Sequence, residues 1–195
     1  YCNGFAKLPV GKVRYGLMLR EDGIVMDDGT TARMTENHFI MTTTTVNAES
    51  VYRHLEFCHQ CLWPEMDVQL ISTTDAWAQI AIAGPNSRKI ISKIVDKKFD
   101  VSNENFPFMA CKEITICGGV LARLFRISFS GELAYELSVP TQYASSLASY
   151  LMEIGKEENI IPYGTEALGV MRIEKGHAAG AELNGTISAM NLNMG

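Results

Sequence analysis

The sequence has little that would carry it into a membrane or onto a nucleic acid. Its longest apolar runs, such as Ile80 to Ala83, fall far short of the roughly 20 residues a spanning helix needs. No run of Lys or Arg exceeds two, and 17 basic residues against 22 acidic ones leave a formal charge of −5, so no patch suits a phosphate backbone. Neither G-x-G-x-x-G nor G-x-x-x-x-G-K-[ST] occurs, which excludes the usual loops for dinucleotides and triphosphates. No Ser or Cys sits in a nucleophile motif, so covalent catalysis is not expected. Five cysteines (Cys2, Cys58, Cys61, Cys111 and Cys117) are an odd number in a chain too large to need staples, which favours a reducing compartment, by default the cytoplasm. Cys58-His59-Gln60-Cys61 has zinc-type spacing, but no second ligand pair accompanies it, and no metal is expected; Val51, Leu55, Cys58 and Leu62 instead recur at helical spacing as a buried stripe.

What is present is an ordinary globular composition, 47% hydrophobic and 20% charged, over 195 residues. That length suits one domain or two closely packed lobes. The chain opens on Tyr1, not Met, and stops at Met194-Gly195 inside an unfinished segment, so a piece of a longer protein is expected.

Strand-like runs cover Lys12 to Leu19, Ile24 to Met34, His38 to Thr45, Val68 to Thr73, Trp77 to Ala83, Phe108 to Cys117, Val120 to Ser128 and Leu133 to Val139. The first two flank the polar turn Arg20-Glu21-Asp22-Gly23 and should pair antiparallel. Helices are expected after Asn47, after Gly84-Pro85-Asn86 and after Thr141, with Asn47 and Thr141 as caps and Pro85 just inside its helix, and again over Ala167 to Met171. Hairpin, strand and capped helix occur in that order twice, from Lys12 to Leu62 and from Pro107 to Ile154, a weak internal duplication. Short turns between neighbouring strands, backed by a few helices, give α+β with largely antiparallel sheets.

Two acids stand out of place. Asp27-Asp28 lies in an apolar, β-branched strand where an ionised carboxylate facing the core costs several kcal/mol unless it is bonded or protonated. Alternation puts Ile24, Met26 and Asp28 on one side and Val25 and Asp27 on the other, so only one of the two acids can enter a given pocket. Asp28, sharing its side with the longer apolar residues, suits a proton-handling group. Taken without context, a bulge or turn at Asp27-Asp28-Gly29 is the simpler account of the pair. Glu136, flanked on its face by Ala134 and Ser138, either looks into solvent or offers two parallel acceptors to a guanidine-like ligand edge. His177 beside Gly176 is a ligand contact or a helix-end cap, and Asn184-Gly185-Thr186 is a turn.

Val13-Arg14-Tyr15-Gly16-Leu17-Met18-Leu19, Asp22-Gly23-Ile24-Val25-Met26-Asp27-Asp28, Ala83-Gly84-Pro85, the stretch Phe125 to Glu132 with Tyr135-Glu136-Leu137, and Met171-Arg172-Ile173-Glu174 resemble the folate-binding aminomethyltransferase family, which includes the glycine cleavage T-protein. Within it, Arg14 to Thr31, Phe106 to Cys111, Phe125 to Tyr135 and Pro162 to Asn184 are similar to the branch formed by the carboxyl-terminal half of heterotetrameric sarcosine oxidase α subunits.

The resemblance implies two α+β lobes, residues 1–71 and 72–195, with a strand and helix missing ahead of the first and a β-barrel missing after the second. It also implies tetrahydrofolate in a funnel between lobes. Asp28 matches the family's catalytic aspartate, Glu136 the glutamate that holds the pterin, and Tyr15 a pocket tyrosine; Arg126 and Arg172 fall on family arginines. Thr44 stands where the T-protein has a folate-contacting asparagine, Phe129 where it has a tyrosine and Leu168 where it has an arginine, departures that fit the sarcosine oxidase branch. The implied reaction takes the one-carbon unit of oxidised sarcosine to 5,10-methylenetetrahydrofolate and glycine. FAD, FMN and NAD are expected elsewhere in the complex, and the other sarcosine oxidase subunits are the expected partners. A stand-alone aminomethyltransferase or demethylase, and a non-catalytic subunit-docking module, are the other readings.

Overall fold

A computed structural model describes residues 3–180 and 182–194; Cys2 lies outside them. Two antiparallel sheets organise the chain. The first has the order β1-β2-β3, from Lys12–Leu19 (β1), Val25–Arg33 (β2) and Phe39–Met41 (β3). The second has the order β4-β7-β6-β5, from Trp77–Ala83 (β4), Cys111–Ile116 (β5), Val120–Phe125 (β6) and Ala134–Pro140 (β7). The helices are Ala48–Phe57 (α1), Ser87–Ile94 (α2), Ala144–Ile154 (α3) and Thr165–Lys175 (α4). The α+β expectation holds, and the hairpin at Arg20–Gly23 closes through Gly23 N–H donating to Arg20 O. In both halves a three-strand meander leads through one 3-10 turn into a helix, β1-β2-β3-α1 and β5-β6-β7-α3.

Alternation decides what each face of the second sheet meets. Tyr135, Leu137 and Val139 of β7 are fully buried with Leu124, Ile114 and Ile116 against Ile90, Ile91 and Ile94 of α2 and Leu147 and Leu151 of α3, which forms the main core. The opposite face carries Cys111 and Phe125, a cross-strand pair, and these pack with Ile127 on Val13 and Ala32, themselves a cross-strand pair of the first sheet. This apolar seam joins the two sheets, reinforced by Val13 N–H donating to Met109 O and Cys111 N–H to Gly11 O. A third cluster, Leu17 and Val25 with Leu183, Ala189 and Leu192, shows the C-terminal segment returning to cover the first sheet, where Val25 N–H donates to Ile187 O.

Several local expectations are corrected. Val68 to Thr73 forms no strand: Val68 and Ile71 stand 45% and 75% exposed, and β-rich composition makes a strand only where a neighbour supplies a ladder. The strand at His38 to Thr45 shrinks to Phe39–Met41, because from Thr42 the backbone is engaged by β2 in another way, described below. α1 gives way to a π-helical turn over Cys58–Leu62, whose wider winding turns the end of the stripe outward, leaving Cys58 half-buried and Leu62 exposed. Neither Asn47 nor Thr141 caps a helix with its side chain; Thr141 donates instead to Asp75 O, and Pro85 precedes the N-cap residue, Asn86. The cysteines at 58, 61, 111 and 117 are free thiols. Among the described residues no helix is long and apolar enough to cross a membrane, and no three His, Cys, Asp or Glu cluster as metal ligands.

Candidate functional site

Asp28 pairs with Leu17 across β1 and β2, and Tyr15 pairs with Thr30, so Tyr15 and Asp28 are diagonal neighbours on one face. The Tyr15 hydroxyl donates to Asp28 Oδ2 at 2.8 Å. Burial pushes the Asp28 carboxyl above its ordinary value, the Tyr15 hydrogen bond opposes this, and the Asp27 charge adds to it.

The register breaks between Met18/Asp27 and Leu19/Val25, which makes Met26 an extra, bulged residue. The simple alternation is thereby corrected. The bulge moves Val25 onto the face of Asp28 and leaves Asp27 on the other with Met18. Asp28 therefore sits between two apolar clusters of its own face: Val13 and Ala32 at the seam between the sheets, and Leu17 and Val25 beneath the C-terminal segment.

Asp27 has no exposed surface. Thr44 donates to it twice, from its backbone N–H at 3.0 Å and its hydroxyl at 2.7 Å, and Asn47 Nδ2 donates at 3.1 Å. The connection from β3 to α1 can come this close because of Gly29, whose missing Cβ would lie 1.9 Å from Thr42 O. Thr44 thus turns its hydroxyl to Asp27, and Asn47 is a strut where the sequence suggested a cap.

Glu136 lies on the seam-facing side of the second sheet, paired with Phe125 on β6 and Ala81 on β4. Its neighbours Ala134 and Ser138 are buried and Glu136 is half-buried, so this face is not a solvent face. Gln79 Nε2 donates to Glu136 Oε2, and Ser138 donates to Gln79 Oε1 at 2.9 Å. Burial raises the Glu136 carboxyl, with the Gln79 hydrogen bond opposing. Gln79, a polar residue in the apolar run Trp77 to Ala83 that alternates in phase with Glu136, was a signal that sequence reasoning passed over.

The remaining residues frame the site. Arg126 Nη1 donates to Asn103 Oδ1 at 2.8 Å and Phe106 O at 3.0 Å, holding the loop before β5, and desolvation lowers its pKa. Arg172 Nη1 donates to Glu182 at 2.8 Å and to His177 O at 3.2 Å, tying the end of α4 to the covering C-terminal segment; its hydrogen bond holds Glu182 below the usual carboxylate range. The Phe129 and His177 rings stack at 6.1 Å, with His177 Nδ1 3.0 Å from Phe129 O. With Phe108, Arg126 and Lys175, His177 lines an open cleft of about 360 Å³ at the β6–β7 turn.

The chemistry available is specific. Two carboxylates of raised proton affinity lie on the sheet faces that meet at the seam, each held by one neutral donor, and among the described residues neither has a cationic partner. Such groups accept N–H donors and hold a proton more tightly than an ordinary carboxylate.

This fold and site define a member of the family described as the GCVT N-terminal domain: its match covers residues 1–195, and the chain belongs to it. The chain is 61% identical to sarcosine oxidase subunit alpha of Rhizobium meliloti (strain 1021) and 44% identical to that of Corynebacterium sp. (strain P-1), over 100% of this chain and 20% of each relative. Identity to an aminomethyltransferase of Geobacillus sp. (strain WCH70) is 31%, over 88% of this chain and 45% of the relative. The crystal structure of glycine cleavage system aminomethyltransferase T from Bartonella henselae has the same fold, with a TM-score of 0.79 at 22% identity over 94% of this chain and 46% of that one. The chain thus spans about a fifth of the sarcosine oxidase subunits it matches and about half of the aminomethyltransferases.

Proposed function

We propose that this chain is the tetrahydrofolate-binding domain of a cytoplasmic sarcosine oxidase α subunit, accepting the one-carbon unit of oxidised sarcosine. The observation that carries the reading is the pairing of two desolvated carboxylates, Asp28 on Tyr15 and Glu136 on Gln79, on sheet faces that meet at one seam. The family match and the identity to sarcosine oxidase α subunits support it. The division near Ser72 then separates one sheet from the other, and the folate lies between them.

In this reading sarcosine is oxidised to an iminium in another part of the complex. Bound folate would supply two nucleophilic nitrogens for the methylene carbon; each loses a proton as its bond forms, and the glycine nitrogen, whose bond to that carbon breaks, gains both. Asp28, with its raised proton affinity, would relay these protons from the folate nitrogens to the glycine nitrogen. Glu136 receives the paired N–H groups of the pterin's amino-pyrimidine edge, which fixes the attacking nitrogen and makes the step effectively unimolecular. Tyr15 lines the pocket and steadies the Asp28 carboxylate. Phe129 offers an exposed ring beside the cleft, whereas Thr44, Arg126 and Arg172 hold the walls. The products are 5,10-methylenetetrahydrofolate and glycine; FAD, FMN, NAD and the partner subunits belong to the rest of the assembly.

Calorimetric titration of the full-length protein with 5-formyltetrahydrofolate tests binding, with an expected affinity in the micromolar range, about −8 kcal/mol. Asp28→Asn should lower methylenetetrahydrofolate yield while sarcosine-dependent peroxide formation persists. Loss of both activities together, or no folate binding by the wild type, would sink the reading.

A further inference from the structure

Asp27 is a fully buried acid for which the reaction above has no use. Its oxygens are occupied: Oδ1 accepts from the Thr44 hydroxyl and from Asn47 Nδ2, and Oδ2 from Thr44 N–H. A buried carboxylate is tolerated only when hydrogen bonds replace its water, and three donors supply that here. All three come from the short connection between β3 and α1, and Asn47 also reaches Met26 O, the carbonyl of the bulged residue, at 3.4 Å.

We propose that Asp27 is a positioning residue for Asp28, a buried carboxylate that clamps the Thr42–Asn47 connection onto the Met26 bulge and so holds apolar Val25 on the face from which β2 presents Asp28 to the space between the sheets. The unbroken ladder sets Asp28 opposite Leu17, and the bulge adds Val25 to that face; without it Val25 and Asp28 would lie on opposite faces. A bulge is a local irregularity that the ladder alone does not pin, because the extra residue has no partner across the strand. Asp27 and Asn47 grip it from the side that β1 leaves open, and Gly29 admits the connection to that side. The clamp also places a second negative charge beside Asp28. The groups that act on the Asp28 carboxyl are Tyr15 of β1 and Asp27 on its own strand, while the C-terminal segment brings apolar Leu183, Ala189 and Leu192 to this face.

The inference rests on the reading of Asp28 as the proton-handling group, and its test is independent of ligand. In the full-length protein the Asp28 carboxyl is titrated by infrared difference spectroscopy, with Asp28→Asn identifying its band. Asp27→Asn should move the midpoint to lower pH, because a like charge is gone. An unchanged midpoint in a folded Asp27→Asn protein overturns the proposal. Thr44→Val provides a second measurement should Asp27→Asn fail to fold. It removes one of the clamp's donors, so the apolar cover of the Asp28 face loosens, desolvation falls and the midpoint should move to lower pH, and Thr44→Ser should restore it. A midpoint indifferent to Thr44→Val also overturns the clamp. Failure of the wild type to bind 5-formyltetrahydrofolate would remove the folate reading alone, since the infrared midpoints still decide what Asp27 does.

Discussion

Replacing Gly29 by alanine puts a methyl group where the β3–α1 connection now lies. The added carbon would stand 1.9 Å from Thr42 O and 2.8 Å from Thr42 C, so the connection must retreat by about 1.5 Å to reach ordinary contact. Three hydrogen bonds span that gap: Thr42 N–H to Thr30 O at 2.8 Å, Thr30 N–H to Thr42 Oγ1 at 2.9 Å, and the Thr30–Thr42 hydroxyl pair at 2.9 Å. Each contributes about 1 kcal/mol, and forced overpacking adds about 1–3 kcal/mol, giving a loss of roughly 4–6 kcal/mol. At this chain length that corresponds to a fall in Tm of roughly 15 °C. Gly23→Ala is the control: Gly23 has φ +80° with nothing within 4 Å of an added Cβ, so only backbone strain of about 1 kcal/mol is expected. Scanning calorimetry of both variants in the full-length protein decides. A Gly29→Ala protein as stable as Gly23→Ala would refute the close approach and the clamp built on it.

Tyr15→Phe removes the hydroxyl that stabilises ionised Asp28, so the acid limb of the pH–activity profile should move to higher pH, opposite to Asp27→Asn; rates measured across the profile check the sign. Glu136→Gln should weaken 5-formyltetrahydrofolate binding about 10- to 100-fold by calorimetry, since a charge-assisted pair of hydrogen bonds becomes a neutral, mismatched one. The same substitution should raise Tm at about pH 7. A carboxyl whose folded pKa is raised contributes stability that is fully present below its unfolded pKa and lost as pH rises through the folded value, so the gain should vanish near about pH 4, as melting curves at the two values would show.

Position by position, what was legible in the sequence is what alternation and turn chemistry control. Trp77–Ala83 emerges with its bounds intact because Gly84-Pro85 punctuates it, and Tyr135, Leu137 and Val139 face the core as their spacing requires. Asp28 and Glu136 stand out because a carboxylate in an apolar strand demands an explanation. The face of Val25 was misjudged because a bulge at Met26 leaves no mark in composition. Val68 to Thr73 looked like a strand because composition reports fitness for a sheet and not the presence of a neighbour. Asn47 was taken for a cap because a polar residue ahead of a helix has the same signature whether it turns to its own helix or to a distant carboxylate. The Asp27 clamp is a tertiary fact, built from residues 17 and 20 positions apart, and nothing local announces it.

The return of the C-terminal segment to the first sheet sets an order of assembly. β1 and β2 leave the ribosome among the first described residues, and their hairpin closes from local contacts alone, yet the partner of Val25 N–H is Ile187 O, near the other end of the chain. During synthesis the second sheet and its helices are complete while Leu17 and Val25 are still uncovered. Until that segment has emerged, Asp28 lacks the cover that raises its proton affinity. Among the described residues this cover closes late, when residue 187 meets residue 25 and Arg172 ties the segment down. A nascent or C-terminally nicked chain would hold every side chain of the Asp28 pair and its clamp and still lack the dry setting on which they depend.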